Sequence, residues 1–133
     1  MTPFRLKIIT PYGVFFDGET TNVIVRTTEG DMAVLAGIQP YVSVLGIGKL
    51  RIMLGEKYRY ASTSGGIIKA DKNETVIIAN TCEWADEIDI IRAENAKQIA
   101  EERRKNANTT NDIKLAEYKL HRAINRIDTA KFK

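Results

Sequence analysis

The chain has 133 residues, 44% of them hydrophobic and 28% charged, the balance of a soluble globular protein with room for one ordinary domain or a small core with an appendage. No run approaches the roughly 18 uninterrupted apolar residues of a membrane span, and Met1-Thr2-Pro3-Phe4-Arg5 lacks a signal-peptide core, so a soluble, non-exported protein is expected. The single cysteine, Cys82, excludes an internal disulfide, and the net charge of +3 is unevenly placed, as the C-terminal elements show.

The first 80 or so residues read as short strands punctuated by turns, the spacing of an all-β sandwich or barrel. Phe4, Leu6 and Ile8 alternate with Arg5 and Lys7, which gives one buried and one wet face. Pro11-Tyr12-Gly13 turns the chain into Val14-Phe15-Phe16, closed by Asp17-Gly18. Val23-Ile24-Val25 follows, and Glu29-Gly30-Asp31 makes a hairpin turn into Met32-Ala33-Val34-Leu35. Leu50, Ile52 and Leu54 alternate again, and Gly55-Glu56 leads to Tyr58-Arg59-Tyr60. Ser64-Gly65-Gly66 interrupts the line before Ile67-Ile68, and Asp71-Lys72-Asn73 turns into Val76-Ile77-Ile78. The prolines stand at the start, at one turn and at Gln39-Pro40, where a missing N–H costs least.

Within Glu83-Trp84-Ala85-Asp86-Glu87-Ile88-Asp89-Ile90-Ile91-Arg92-Ala93 the hydrophobic period changes from two to between three and four. Two helices are predicted beyond it. Asp86 or Asp89 can cap the first, and Arg103-Arg104-Lys105 sets positive charge at its carbonyl end. A short polar connection, Asn106–Thr110, carries Thr109 and Asp112 at the spacing of an N-cap and a third helical residue. The second helix presents Ile113, Ala116, Leu120, Ala123, Ile124 and Ile127 as an apolar stripe, and so short a connection makes the helices antiparallel neighbours. The facing stripe is thin, with Ile88, Ile91 and Ile99 as its large members and Ala93, Ala96 and Ala100 between, so the hairpin is expected to be marginal alone and able to dock, undock or extend.

Residues 1–111 balance 14 Lys or Arg against 14 Asp or Glu, whereas the last helix holds Lys114, Lys119, Arg122, Arg126, Lys131 and Lys133 against three acids. That excess points to an acidic partner or an anionic ligand, with a lysine-rich exposed helix as the plainer alternative. Catalysis is not expected. His121 sits mid-helix beside Arg122, Cys82 has no histidine near it, and no H-E-x-x-H, paired cysteines or G-x-S-x-G occurs. Gly46-Ile47-Gly48-Lys49-Leu50 fails as a phosphate loop, because Leu50 stands where Ser or Thr is needed. Gly65-Gly66 is better explained by a backbone needing positive φ. If the helices are antiparallel, Arg92 at the start of one lies near Arg122 and Arg126 at the end of the other, a trio suited to a polyphosphate. Ordinary surface ion pairing is the competing account.

Several ordered motifs resemble the epsilon subunit of F-type ATP synthases, of bacterial type: Ile9-Thr10-Pro11, Phe16-Asp17-Gly18-Glu19, Val25-Arg26-Thr27-Thr28-Glu29-Gly30-Asp31, Gly48-Lys49-Leu50-Arg51-Ile52, Ser64-Gly65-Gly66 and Ile88-Asp89-Ile90-Ile91-Arg92-Ala93. The resemblance implies a β + α fold, a flattened β-sandwich of about ten short strands over residues 1–86 and an antiparallel two-helix hairpin over 87–133. It implies a non-catalytic central-stalk subunit bound to the gamma subunit and the c-ring, coupling proton flow to ATP synthesis at the cytoplasmic face of the cell membrane. Its mobile hairpin would reach the alpha and beta subunits to inhibit ATP hydrolysis. It further implies ATP as a regulatory ligand, with or without magnesium, held by Glu83, Ile88, Asp89, Arg92, Ala93, Arg122 and Arg126, although Ile99 stands where strong binders carry a further arginine. Two rival readings are a free-standing ATP-sensing module and a nucleic-acid binder, the latter lacking an aromatic platform beside its basic residues.

Overall fold

A computed structural model describes residues 2–133, and the chain falls into two compact units, Met1–Trp84 and Ala85–Lys133. The first unit is built of eight strands: β1 Phe4–Thr10, β2 Gly13–Thr20, β3 Val23–Thr27, β4 Gly30–Val34, β5 Tyr41–Leu54, β6 Lys57–Ala70, β7 Glu74–Ala79 and β8 Cys82–Trp84. They pair in the order β2-β1-β7-β6-β5-β3-β4, with β8 on β6, and β1 with β7 is the parallel pair in an otherwise antiparallel sheet.

Eight strands replace the ten or so expected because β5 and β6 each run unbroken for 14 residues. Ser64-Gly65-Gly66 redirects β6 instead of ending it. Before the glycines, Ala61–Thr63 pairs with β8; after them, Gly66–Ala70 pairs with β7. Gly65 and Gly66 hold φ of 111° and 142°, and a Cβ on Gly66 would overlap the carbonyl oxygen of Ile78, so both positive φ and close backbone approach demand glycine there. Leu6, Ile8, Ile68 and Ile77 from one part of the sheet and Val23, Val25, Leu50 and Ile52 from the other are fully buried in a single cluster. The sheet therefore folds over so that its inner faces meet, which makes it a sandwich.

The second unit opens with a 3-10 turn, Ala85–Glu87, followed by α1, Ile90–Asn106, and α2, Thr110–Ala130. Asp89 caps α1, its carboxylate accepting from the Arg92 N–H at 3.1 Å, and Thr109 caps α2, its hydroxyl accepting from the Asp112 N–H at 3.1 Å. Arg103, Arg104 and Lys105 occupy the last turn of α1. Within the expected stripes it is the small members that the helices bury. Ile91 and Ile99 are 72% and 51% exposed, and Ile113 and Ile124 also face solvent, whereas Ala93, Ala100, Ala116 and Ala123 are buried. Alanine lets two helices approach closely, and the larger side chains are then pushed to the flanks of the seam. Each buried methyl contributes only about 0.8 kcal/mol against about 1 to 2 kcal/mol per ordered residue, so the pair is held weakly.

Candidate functional site

Arg92, Ala96, Ile99 and Arg103 recur at intervals of four, three and four along α1, so they share one face. Lys119, Arg122, Ala123 and Arg126 share a face of α2 for the same reason. The three-residue connection Ala107–Thr109 brings these faces together, and between them lies a cavity of about 270 Å³. Ala96, Ile99, Ala100 and Ala123 form its apolar part, and Arg92, Arg103, Lys119, Arg122 and Arg126 supply its polar groups, all cationic.

Among the described residues, Arg92, Arg103, Lys119 and Arg122 form no salt bridge. Arg104 does: it points away from the cavity and meets Glu117 at 3.5 Å. Four uncompensated cations around a small-residue seam create a strongly positive concavity, and a guanidinium fork matches phosphate oxygens bidentately. The volume is near the lower end of small-molecule sites, about 300 to 1,000 Å³. A second cavity of about 410 Å³ continues toward the helix connection. It shares Ile99, Arg103 and Lys119 but adds the acids Glu102 and Asp112.

The structure thus gathers three of the site residues expected from sequence, Arg92, Arg122 and Arg126, around one cavity. Ile88, Asp89 and Ala93 frame the start of α1 without lining it. Asp89 is committed to its capping bond, and Ile88 and Ala93 are buried. Glu83 belongs to the first unit, on β8, in register with Ser62 of β6. Beside it, burial and the Glu83 carboxylate push the Cys82 thiol up to about 12, an unreactive thiol at neutral pH. His121 is exposed on α2 and does not line the cavity. Sequence reasoning missed Arg103, whose position in the last turn of α1 was explained by the helix dipole alone. The available signal was its spacing: eleven residues after Arg92 is three turns to within about 20° of the same face.

The first unit carries a different surface. In the sheet register Val14 lies opposite Ile9, Ile9 opposite Ile78, Ile78 opposite Ile67, and Ile67 opposite Val44, an apolar row crossing β2, β1, β7, β6 and β5. Residues in register point to the same side, and this side is the outer one. Val14, Ile78, Ile67 and Val44 are 59%, 56%, 49% and 56% exposed, and Ile9 is half-buried. The neighbouring row in register reads Val42, Lys69, Val76, Lys7 and Asp17, so charged side chains of both signs border the apolar row. The doublets Ile8-Ile9, Ile67-Ile68 and Ile77-Ile78 were the sequence signal, since a strand apolar on both faces expects cover on both. A contiguous apolar patch rimmed by polar groups marks a surface that a partner covers.

Residues 3–85 match the ATP synthase delta/epsilon chain beta-sandwich domain, and residues 86–131 match the long alpha-helix domain of the same chain. The chain is 42% identical over 130 residues to the ATP synthase epsilon chain of Alkaliphilus metalliredigens, covering 98% of this chain and 97% of that one. It is 37% identical over 127 residues to the ATP synthase epsilon chain of Caldicellulosiruptor saccharolyticus, covering 96% and 93%. The fold is shared with a chain in the Euglena gracilis mitochondrial ATP synthase, OSCP/F1/c-ring, at a TM-score of 0.84 and 20% identity, covering all of this chain and 83% of that one.

Proposed function

The chain belongs to the ATP synthase delta/epsilon chain family, and on that premise we propose that it is a non-catalytic central-stalk subunit whose hairpin is an ATP-responsive regulatory arm. Its sandwich binds the gamma subunit and the c-ring of a proton-translocating F-type synthase, which places it peripherally at the cytoplasmic face of the membrane. Its hairpin, when released, reaches the alpha and beta subunits and restrains ATP hydrolysis.

The observation that carries the regulatory part is the cationic cavity at the seam of two weakly packed helices. Arg92 comes from α1 and Arg122 and Arg126 from α2, so a polyphosphate bound there exists only while the helices are together. A ligand that binds only the folded hairpin stabilises it by about 2.7 kcal/mol at a hundredfold excess over its dissociation constant, comparable to the burial of one large side chain. ATP therefore shifts the arm toward its folded form, and ATP depletion frees it to inhibit. No magnesium is required by this scheme, since the cavity already supplies the countercharge; magnesium bound to the phosphates would reduce that match.

Isothermal titration of ATP into the wild-type chain and into Arg92→Ala and Arg126→Ala tests the site. Binding heat is expected for the wild type and strongly reduced for both variants. Equal heats for all three would remove these arginines from any nucleotide site. Co-purification with gamma, together with inhibition of hydrolysis by the assembled head, separates the stalk role from that of a free-standing ATP sensor, for which neither is expected.

A further inference from the structure

The cavity holds two cations that the three-arginine reading leaves without a task, Arg103 on α1 and Lys119 on α2. Neither has a salt-bridge partner among the described residues. Helix geometry separates Arg103 from Arg92 by about 16 Å along α1, and Lys119 lies two turns before Arg126 on the antiparallel helix. The cations thus form two groups along one groove, Arg92 with Arg122 and Arg126 toward one end, Arg103 with Lys119 toward the other. An extended polyphosphate can satisfy more of these cations at once than a lone phosphate can. Past Arg103 the groove changes sign, because Glu102 and Asp112 line its continuation and repel an anion. The acids set a limit to how far a phosphate chain runs.

We propose that Arg103, assisted by Lys119, is a phosphate-binding residue of this groove and gives it its demand for a long, highly charged phosphate chain. The proposal rests on the nucleotide site described above. It assigns Arg103 a role that its neighbour Arg104, paired with Glu117 outside the cavity, does not share.

Titration calorimetry on the full chain with ATP, ADP and inorganic tripolyphosphate tests it, using the wild type, Arg103→Gln, Arg103→Lys, Arg104→Gln and Arg126→Gln. Losing one charge-assisted contact is expected to weaken ATP and tripolyphosphate about tenfold or more in Arg103→Gln, with a smaller loss for ADP. Arg103→Lys should fall between, because it keeps the charge and loses the fork. Arg104→Gln should match the wild type. If Arg103→Gln binds ATP like the wild type while Arg126→Gln does not, Arg103 lies outside a real site and the proposal fails alone. Equal behaviour of Arg103→Gln and Arg104→Gln with every ligand would mean that both only complement the helix dipole, which also overturns it. Absence of any binding by the wild type removes the groove as a nucleotide site and this proposal with it.

Discussion

Cys82 shows how one residue's surroundings can close off chemistry that its side chain allows. Its thiol ionises at 9.0 in an open environment and is pushed up to about 12 here, first by burial and then by the neighbouring Glu83 carboxylate. The unfolded chain therefore loses this proton before the folded chain does. The contribution to stability is present below about pH 9 and is lost as pH rises from there toward 12. Two outcomes follow: a thiol reagent at pH 8 should label the folded protein far more slowly than the urea-unfolded one, and Cys82→Ser should flatten the alkaline limb of the stability profile. Equal labelling rates in the two states would mean that the thiol is open to solvent. Arg103 makes the same point in reverse. Alone in sequence it reads as a charge complementing a helix end, and only the facing Lys119 and Arg122 make it part of a cavity.

At the scale of elements, the hairpin depends on its caps more than on its core. Four buried alanines hold the seam, so each unpaired backbone group at a helix start weighs heavily. Asp89→Ala and Thr109→Ala remove the bonds to the Arg92 and Asp112 N–H groups, at a cost of about 1 kcal/mol each. Both should lower the helical signal in circular dichroism on warming, before the sandwich melts. In Asp89→Ala the loss should be partly restored by saturating ATP, because the Asp89 carboxylate spends its bond on the cap and does not line the cavity. Failure of ATP to restore Asp89→Ala would place that carboxylate in direct contact with the nucleotide. The long strands β5 and β6 are a different kind of element. They stay paired over almost their whole length while Gly65 and Gly66 redirect β6 from β8 to β7, and this joins one part of the sandwich core to the other.

At the scale of the whole molecule, the two units meet two different demands. The sandwich offers an outer apolar row, Val14, Ile9, Ile78, Ile67 and Val44, and under the proposed function this is the face expected to be buried against gamma. Ile67→Lys and Ile78→Lys lie on that row and outside the core, so they are expected to fold with a melting temperature within a few degrees of the wild type. They should nevertheless fail to co-purify with gamma, each losing at least about tenfold in affinity from burying an unpaired ammonium. Retention of both variants on gamma would move the interface to another face. The hairpin offers the positive groove instead, across a seam of small side chains that costs little to part.

The order of elements, the change of period after Glu83, the Thr109 cap and the positive bias of the last helix follow from local rules: strand alternation, turn residues, capping oxygens and charge counts act over a few residues and are written in the chain. The spacing of Arg92, Arg122 and Arg126 was legible too, once an antiparallel hairpin was assumed. Which members of the two stripes the helices bury was not, since Ile99 and Ala100 are adjacent and periodicity cannot choose between a bulky flank and a small seam. The packing of α1 on α2 placed alanines in the seam, with Ile99 at the cavity and Ile91 and Ile113 in solvent. The outer apolar row likewise required the register of five strands, because it joins residues from position 9 to position 78 whose neighbours in sequence face the core.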